Sequence, residues 1–411
     1  MYVKILTVFL KINFVRILHL INYFNDNLNY QENNLIKLQN INGHQVSLIT
    51  SDRYFPFRNY DKNYKKILGK RLVGPKNYFY KGARIIRKKV CFETKKNAQC
   101  FFFNIIDVIR FKPDVIHIHN CGTYTFISTF IYSLILKKKL FIDCHQDKNN
   151  TSNSLINRIH NFIWLIIYKI FNSAITNFLP INKDSEEFIK DNYNIKKDKI
   201  ITSPLGYEKF NRFQFLYKKK FNHLKSNKSL IEKNILIINS GKQNYEKKIH
   251  KLIEFVKILS QKNINCKLLL IGDSSAEYNV FLKNKIRKVK NIIGQNKILQ
   301  LPFLKQNELR HYLNLADVAV WPGIPSITIQ ECLFTDNILM LPKKSASFEL
   351  LSSRYLIFHD NLNKTANNLI KVIQNRNILN SIKIKNKSIL KKISWYEINK
   401  ELENLYEKKS N

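Results

Sequence analysis

Short apolar runs alternate with amphipathic stretches along almost the whole chain, and their order predicts an α/β protein. Residues 15–21 form an apolar run of strand length, residues 32–42 space their apolar positions as a helix, and residues 46–50 read as a second strand, with Gly43 and His44 as the helix stop between them. That is one βαβ unit. Further strands are predicted at 114–118, 140–143, 173–177 and 199–203, with a buried apolar helix over 120–136. After a lysine-rich stretch at 209–233 the pattern restarts, with strands at 235–239, 267–272, 298–302, 318–321 and 338–341. Such runs suit doubly wound parallel sheets covered by helices on both faces, and the restart predicts two of them.

A chain of 411 residues exceeds the usual size of one domain. The expected division is a first Rossmann-like domain over 1–206, a basic linker over 207–233 and a second Rossmann-like domain over 234–385. Open α/β sheets bind ligands beyond the carboxyl ends of their strands, so a cleft between two such domains is the expected place for a site. The hydrophobic fraction of 45% and the 28 phenylalanines support packed cores, and neither long repeats nor low-complexity tracts interrupt them. The six cysteines are scattered singly, without metal-ligand spacing or the pattern of a secreted scaffold, which fits a reducing cytoplasm.

The formal net charge of +39 invites a nucleic-acid or anionic-membrane partner. Lysine, asparagine and isoleucine are abundant throughout, in the manner of an AT-rich coding sequence, and lysine greatly outnumbers arginine. Readers of nucleic acid favour arginine forks in localised patches, so nucleic-acid binding is not expected as the main role, whereas attraction to anionic lipid remains open. The apolar N-terminal residues are broken by Lys4, Lys11 and Arg16 without a small-residue cleavage site, and no cleavable signal peptide is expected. Residues 156–171 combine Phe162, Trp164, Leu165, Ile166 and Ile167 with Arg158, His160 and Lys169. That stretch reads equally as a helix lying flat on a membrane and as a helix facing a core.

Candidate chemistry concentrates at 316–331, ADVAVWPGIPSITIQE, where a valine-rich strand runs into Pro322, Gly323 and Pro325, with Ser326 as an N-cap and helical spacing from Ile327 onward. Free N–H groups at such a helix start suit an anion such as a diphosphate. Glu331, about a turn and a half in, can reach a hydroxyl-bearing ligand there; an ordinary solvated helix glutamate is the alternative. The chain has only 10 glycines, and Gly43, Gly122, Gly206, Gly241, Gly272 and Gly323 fall at or near junctions where positive φ or close backbone approach is expected.

In order along nearly the whole length, RILHLINYF with NYQENNLIKLQNINGHQVSLITSD, KPDVIHIHN, ITNFLPINKDSEEFI, SPLGYEKF, NILIINSGKQNYEKKIHKLIEF, ADVAVWPGIPSITIQECL and SWYEINKELENLY resemble the segments of retaining glycosyltransferases of the GT-B fold, sequence family 4, the glycosyl transferases of group 1. The resemblance implies that Lys242 and Lys247, placed after Gly241, clamp the donor diphosphate, that Glu331 binds the ribose, and that Asp273 lies near the base. It implies that Asn29, Tyr30 and Gln31 occupy an acceptor-side loop and that His145 lines the site near the transferred sugar. Through SWYEINKELENLY it implies a C-terminal helix over 386–411 that returns to the first domain. His117 and His119 share a strand face, with His119 the acceptor-side candidate and His117 a core residue. Most relatives carry a glutamate where this chain has Gly323, so Ser326 and the backbone of Ile327 and Thr328 are expected to take over its contacts. Lys248 stands where the clamp lysine is usually followed by glycine, and a glycine expected after the signature helix is replaced around Asp336 and Asn337.

The implied reaction moves a sugar, of the hexosyl type, from a nucleotide-diphosphate sugar to a glycan or lipid-linked acceptor with retention, in surface polysaccharide or glycoconjugate synthesis. His145, Lys247 and Lys242 are the expected catalytic residues. Attack on the face from which the diphosphate departs needs no protein nucleophile. Neither a metal nor another cofactor is expected beyond the nucleotide-sugar co-substrate, and the implied location is the cytoplasm, peripheral to the inner face of the membrane. Two other readings stay open: a non-catalytic GT-B partner or sugar-nucleotide-binding protein, and a basic protein binding nucleic acid or a membrane surface.

Overall fold

The computed structural model describes residues 14–57, 59–94, 99–148, 151, 154–208, 235–324, 328–335, 337–343, 356–375, 377–378, 380–381, 390 and 392–408. The candidates Ser326 and Ile327, the lysine-rich stretch 209–233, Asp336 and the first 13 residues lie outside them. The chain divides into two compact units, the first comprising Met1–Tyr60, Lys70–Pro204 and Trp395–Asn411, the second Asp61–Gly69 and Leu205–Ser394.

In chain order the elements begin with β1 (Arg16–Leu20), α1 (Gln31–Ile41), β2 (Gln45–Ser51), α2 (Tyr60–Asn63), α3 (Lys65–Leu68), β3 (Lys76–Tyr80), β4 (Ala83–Lys88), β5 (Phe92–Thr94) and β6 (Gln99–Phe101). They continue with α4 (Ile105–Phe111), β7 (Val115–Ile118), α5 (Ile127–Ile135), β8 (Lys139–Cys144), α6 (Leu155–Ile170), β9 (Asn177–Pro180) and α7 (Lys183–Tyr193). Among the described residues the first unit's main sheet has the order β3-β4-β2-β1-β7-β8-β9, parallel except for the β3–β4 pair. Its strands are apolar runs because both faces are covered. Val108 of α4, Phe130 of α5, Trp164 and Tyr168 of α6 and Phe188 of α7 pack in one cluster with Leu18, Ile116 and Ile142, while Ile36 of α1 packs in another with Leu48 and Ile85.

The second unit runs β10 (Ile235–Ser240), α8 (Ile249–Gln261), β11 (Cys266–Ile271), α9 (Ala276–Ile293), β12 (Ile298–Leu301), α10 (Gln306–Leu315), β13 (Val318–Val320), α11 (Ile329–Phe334), β14 (Ile338–Leu341), β15 (Leu356–Ile357) and α12 (Leu362–Gln374). Its strands are all parallel, in the order β12-β11-β10-β13-β14-β15. The five strands predicted in this half agree with β10 to β14 to within one residue at each end.

The first half departs more from expectation. The strand expected at 173–177 is displaced to Asn177–Pro180, and 199–203 contributes only an isolated bridge between Phe178 and Ile200. The expected helix over 120–136 is shortened to a turn at Tyr124–Phe126 followed by α5, because Asn120 and Gly122 take left-handed φ values of 77° and 73°. The hairpin β3–β4 went unforeseen. Its two-residue loop has both φ values positive, 49° at Lys81 and 85° at Gly82, a type I′ geometry that follows the strand twist.

The last helix, α13 (Trp395–Glu407), belongs to the first unit and packs on α1. Apolar Ile398, Leu402 and Tyr406 make its buried face. The nearly buried Glu403 carboxylate accepts from Asn42 Nδ2 at 2.9 and 3.1 Å and from Asn399 Nδ2 at 2.8 Å, and it lies 3.4 Å from His44 Nε2. Removing it orphans buried donors. Glu403→Ala should therefore destabilise the first unit by about 2 kcal/mol, read as a lower urea midpoint at unchanged slope.

Candidate active site

Each sheet contains a point where its winding reverses, and open α/β sheets bind ligands beyond the strand ends there. In the second unit the point lies between β10 and β13, with β11 on the other side of β10. Beyond these strands three glycines bring backbone against backbone. A Cβ on Gly272 would lie 2.1 Å from the Gly241 carbonyl oxygen, and one on Gly323 would lie 2.0 Å from that of Glu246 and 2.8 Å from Lys247 C. The Ile324 N–H donates to Glu246 O at 3.3 Å, which fixes the approach. Gly323 thus has a packing reason, and the glutamate common in relatives has no room for its own Cβ.

The turn from Gly241 to α8 is held from several sides. Gln243 N–H donates to Asp273 O at 2.8 Å, Ser274 Oγ donates to Gln243 Oε1 at 2.9 Å, and Asn244 Oδ1 accepts from Lys247 N at 3.1 Å. Lys248 then adopts a left-handed φ of 51° as α8 starts, the conformation for which the glycine of relatives is suited. Lys242 is exposed and Lys247 half-buried on this turn. Burial raises the Asp273 carboxyl above its ordinary value and outweighs the hydrogen bonds from Tyr64 and Asn63 that lower it.

Glu331 is no solvated helix glutamate. It is buried, and its Oε1 accepts from Gln306 Nε2 at 2.8 Å and from Arg310 Nε and Nη2 at 3.3 and 3.2 Å, whereas its Oε2 is buried without a hydrogen-bond partner. Arg310 also lies 3.6 Å from Glu208. Thr328 precedes α11, with its Oγ1 2.9 Å from Ser240 Oγ, and Trp321 Nε1 donates to Ser240 O at 2.9 Å. Helix α11 spans six residues, and Ser326 and Ile327, expected at its start, lie outside the described residues.

In the first unit the winding reverses between β1 and β7. There a buried hydrogen-bonded chain runs from Gln39 Oε1 to His19 Nε2 (2.7 Å), His19 Nδ1 to His119 Nε2 (2.9 Å), His119 Nδ1 to Asp143 Oδ2 (2.7 Å), Asp143 Oδ1 to His117 Nε2 (2.8 Å), and His117 Nδ1 to Tyr406 Oη (2.5 Å). Burial alone would raise the Asp143 carboxyl, but His117 and His119 hold it well below the usual carboxylate range. Burial and the neighbouring imidazoles push His19 well below its ordinary value and His119 down to about 4. With these rings neutral, Asp143 accepts from His117 and His119, His119 accepts from His19, and His19 Nε2 needs a donor, so the Gln39 amide must face it with its NH2. Tyr406 Oη closes the chain on His117 Nδ1.

His19, His117 and His119 stand close enough for one nitrogen from each to meet a metal ion. Every ring nitrogen is instead spent within the chain, and the rings lie within 15–32° of parallel, so their lone pairs do not converge. His119, the acceptor-side candidate, is buried in this network. His145 follows β8 half-buried, its pKa lowered by burial. Asn29 precedes α1 without a positive φ; Tyr30 is exposed, and the Gln31 side chain is buried with both polar atoms unpartnered. Sequence reasoning missed Asp143, His19 and Glu32, the last a buried α1 carboxyl raised to about 7 by burial and by Asp143. The polar residue at His19, inside an otherwise apolar strand, was the available signal.

Residues 221–327 match the family described as glycosyl transferases group 1, a stretch that contains β10 to β13 and the three converging glycines. Solved structures agree over nearly the whole chain. A glycosyltransferase from Rickettsia africae has a TM-score of 0.66 at 15% identity, covering 96% of this chain and 98% of its own. Anabaena HepE in complex with UDP and glucose has a TM-score of 0.63 at 13% identity, covering 95% and 99%. The fold is GT-B, and over residues 221–327 the chain is similar to the group 1 glycosyltransferases. A sucrose-phosphate synthase from Thermosynechococcus elongatus shares the fold at a TM-score of 0.66 and 11% identity, covering 95% and 98%. An uncharacterized glycosyltransferase of Methanocaldococcus jannaschii is 23% identical over 259 residues, and the match spans 61% of either chain.

In this GT-B chain, Gly323→Ala should destabilise the second unit by about 1–3 kcal/mol in thermal or urea unfolding, since backbone must move to admit the Cβ. The histidine chain makes a pH prediction. His119 stays neutral in the folded state down to about 4, whereas an unfolded imidazole protonates near ~6.5, so the unfolded state binds more protons between and stability falls as pH falls through that window. Glu32 opposes this over part of the range, so the test is a difference. Lowering the pH from about 7.5 to about 5 should cost wild type on the order of 2 kcal/mol more than it costs His119→Asn.

Proposed function

We propose that this chain transfers a hexosyl group from a nucleotide-diphosphate sugar to a glycan or lipid-linked acceptor with retention of configuration, in surface polysaccharide or glycoconjugate synthesis. The observation that carries the reading is the turn after β10, where Lys242 and Lys247 follow Gly241 at the reversal point, beside a backbone packed too tightly for side chains. Two lysines on a rigid turn supply positive charge for a leaving diphosphate without rearranging as it departs. The buried, unpartnered Oε2 of Glu331 is an acceptor suited to a ribose hydroxyl, and Arg310 and Gln306 hold the carboxylate in place.

In the proposed step the anomeric carbon loses its bond to the diphosphate oxygen and gains one to the acceptor oxygen on the same face, while the acceptor proton passes to the departing diphosphate. His145, neutral through burial, offers a hydrogen bond near the sugar. Asn29, Tyr30 and Gln31 are assigned to the acceptor side. The nucleotide sugar is co-substrate, the two lysines meet its charge, and no resident metal is invoked. A cytoplasmic location is in keeping with six free cysteines.

Calorimetric titration of UDP, GDP and ADP and of their sugars tests the reading. One nucleotide should bind selectively, and Glu331→Gln, which keeps an acceptor for Arg310 but places an amide at the free position, should weaken it about 10-fold or more. Lys247→Ala should lower kcat more than it weakens nucleotide binding, and His145→Ala should lower kcat with donor affinity unchanged. Unaltered affinity in Glu331→Gln would remove the ribose assignment. Binding without turnover on any acceptor would favour the sugar-nucleotide-binding alternative.

A further inference from the structure

Helix α6 is turned the wrong way round for a core helix. Its inner face is made by Trp164 and Tyr168, whereas Leu155, Ile159, Phe162, Ile166 and Ile170 point outward at spacings of three and four residues. Leu155, Phe162 and Ile170 are 73%, 62% and 64% exposed. The stripe runs the full length of the helix, about 24 Å at ~1.5 Å per residue. It does not stand alone. Phe130 of α5 packs on Trp164, and α4 packs beside α5, so the outward faces of three helices on one side of the same sheet lie together. Ile135 of α5 is 71% exposed, and Ile106 of α4 faces outward as well. Apolar exposure of this extent marks a surface meant to be covered.

Charge identifies the cover. Neither α5 nor α6 contains a carboxylate, and the one on α4, Asp107, is 2.8 Å from Lys88. Exposed Arg110, Lys112, Lys137 and Lys169 lie at the ends of these helices. A second copy of the chain on this face would oppose basic groups to basic groups, on a protein of formal charge +39. Anionic headgroups would neutralise them while acyl chains receive the stripe. No described helix is long and apolar enough to cross a membrane, so the geometry is one of lying on the bilayer.

We infer that the α4–α5–α6 face of the first unit is a docking surface for an anionic bilayer, with the α6 stripe inserted at the headgroup level and the flanking lysines on the phosphates. This resolves the two readings of 156–171 in favour of both at once, since one face packs and the other docks. The inference stands independently of the donor-site assignment.

Co-sedimentation of the full chain with vesicles tests it. Vesicles of equal parts phosphatidylglycerol and phosphatidylcholine should bind the protein about 10-fold or more tightly than pure phosphatidylcholine, and added salt should release it. Ile159→Glu/Phe162→Glu should lower the binding about 10-fold or more, while Lys137→Glu/Lys169→Glu should abolish the preference for the anionic lipid. Nucleotide titration of the same variants should match wild type, which separates a failure here from a failure at the donor site. Equal binding to both vesicles, no loss in either variant, or a wild-type dimer that Ile159→Glu/Phe162→Glu makes monomeric without any vesicle binding would each overturn the inference. If the apolar variant misfolds by circular dichroism, the lysine variant and the salt titration decide.

Discussion

Asp143 is the group on which the first unit depends most. A carboxylate with no exposure to water costs several kcal/mol unless its lone pairs are satisfied, and here two imidazoles on one neighbouring strand supply the donors. The requirement propagates outward. His117 pairs through its far nitrogen with Tyr406 on the last helix; His119 takes a donor from His19 on β1, which in turn reaches Gln39 on α1. One buried charge thereby couples β1, β7, β8, α1 and α13. The C-terminal helix is held to the first unit by this polar chain and by Glu403, in addition to its apolar face.

The second unit meets the opposite constraint, since its critical positions are those where a side chain is missing. The turns after β10, β11 and β13 approach so closely that Gly272 and Gly323 have no space for a Cβ, and the backbone hydrogen bonds of Gln243 and Ile324 hold them there. A loop stabilised in this way presents Lys242 and Lys247 from a fixed base, which is the property a diphosphate cradle needs. It also accounts for the glycine at 323, where a Cβ would meet the Glu246 carbonyl.

How much of this was legible follows from which forces dominate where. Strands β10 to β14 could be read closely because each is a continuous apolar run between polar turns, and burial on both faces leaves no other reading. The hairpin β3–β4 is an edge element with mixed exposure, so its pattern was diluted by lysines and tyrosines, and Lys81 in a left-handed turn gives no warning in a sequence. Gly241, Gly272 and Gly323 were singled out from their junction positions, and the contacts explain them. Asp143 was missed because its partners are His117 and His119 and, beyond them, residues 19, 39 and 406, distances along the chain over which local patterns carry no information. Glu331 was found, but its hold on Arg310 and Gln306 was not, for the same reason.

The charge of the chain is best understood through the same distinction between local and non-local effects. Spread over 69 lysines and arginines against 30 acidic residues, it carries little meaning residue by residue, and most of it is a solvated surface. It acquires meaning only where the fold sets it beside something else. Beside Gly241 it supplies the clamp proposed for the donor diphosphate, and at the ends of α4, α5 and α6 it rims an apolar stripe. In both places the basic groups do not create the site; the backbone in one case and the outward-facing aliphatics in the other define it, and charge then restricts what can occupy it to anions. A mutation that redistributes lysines elsewhere on the surface leaves both definitions intact.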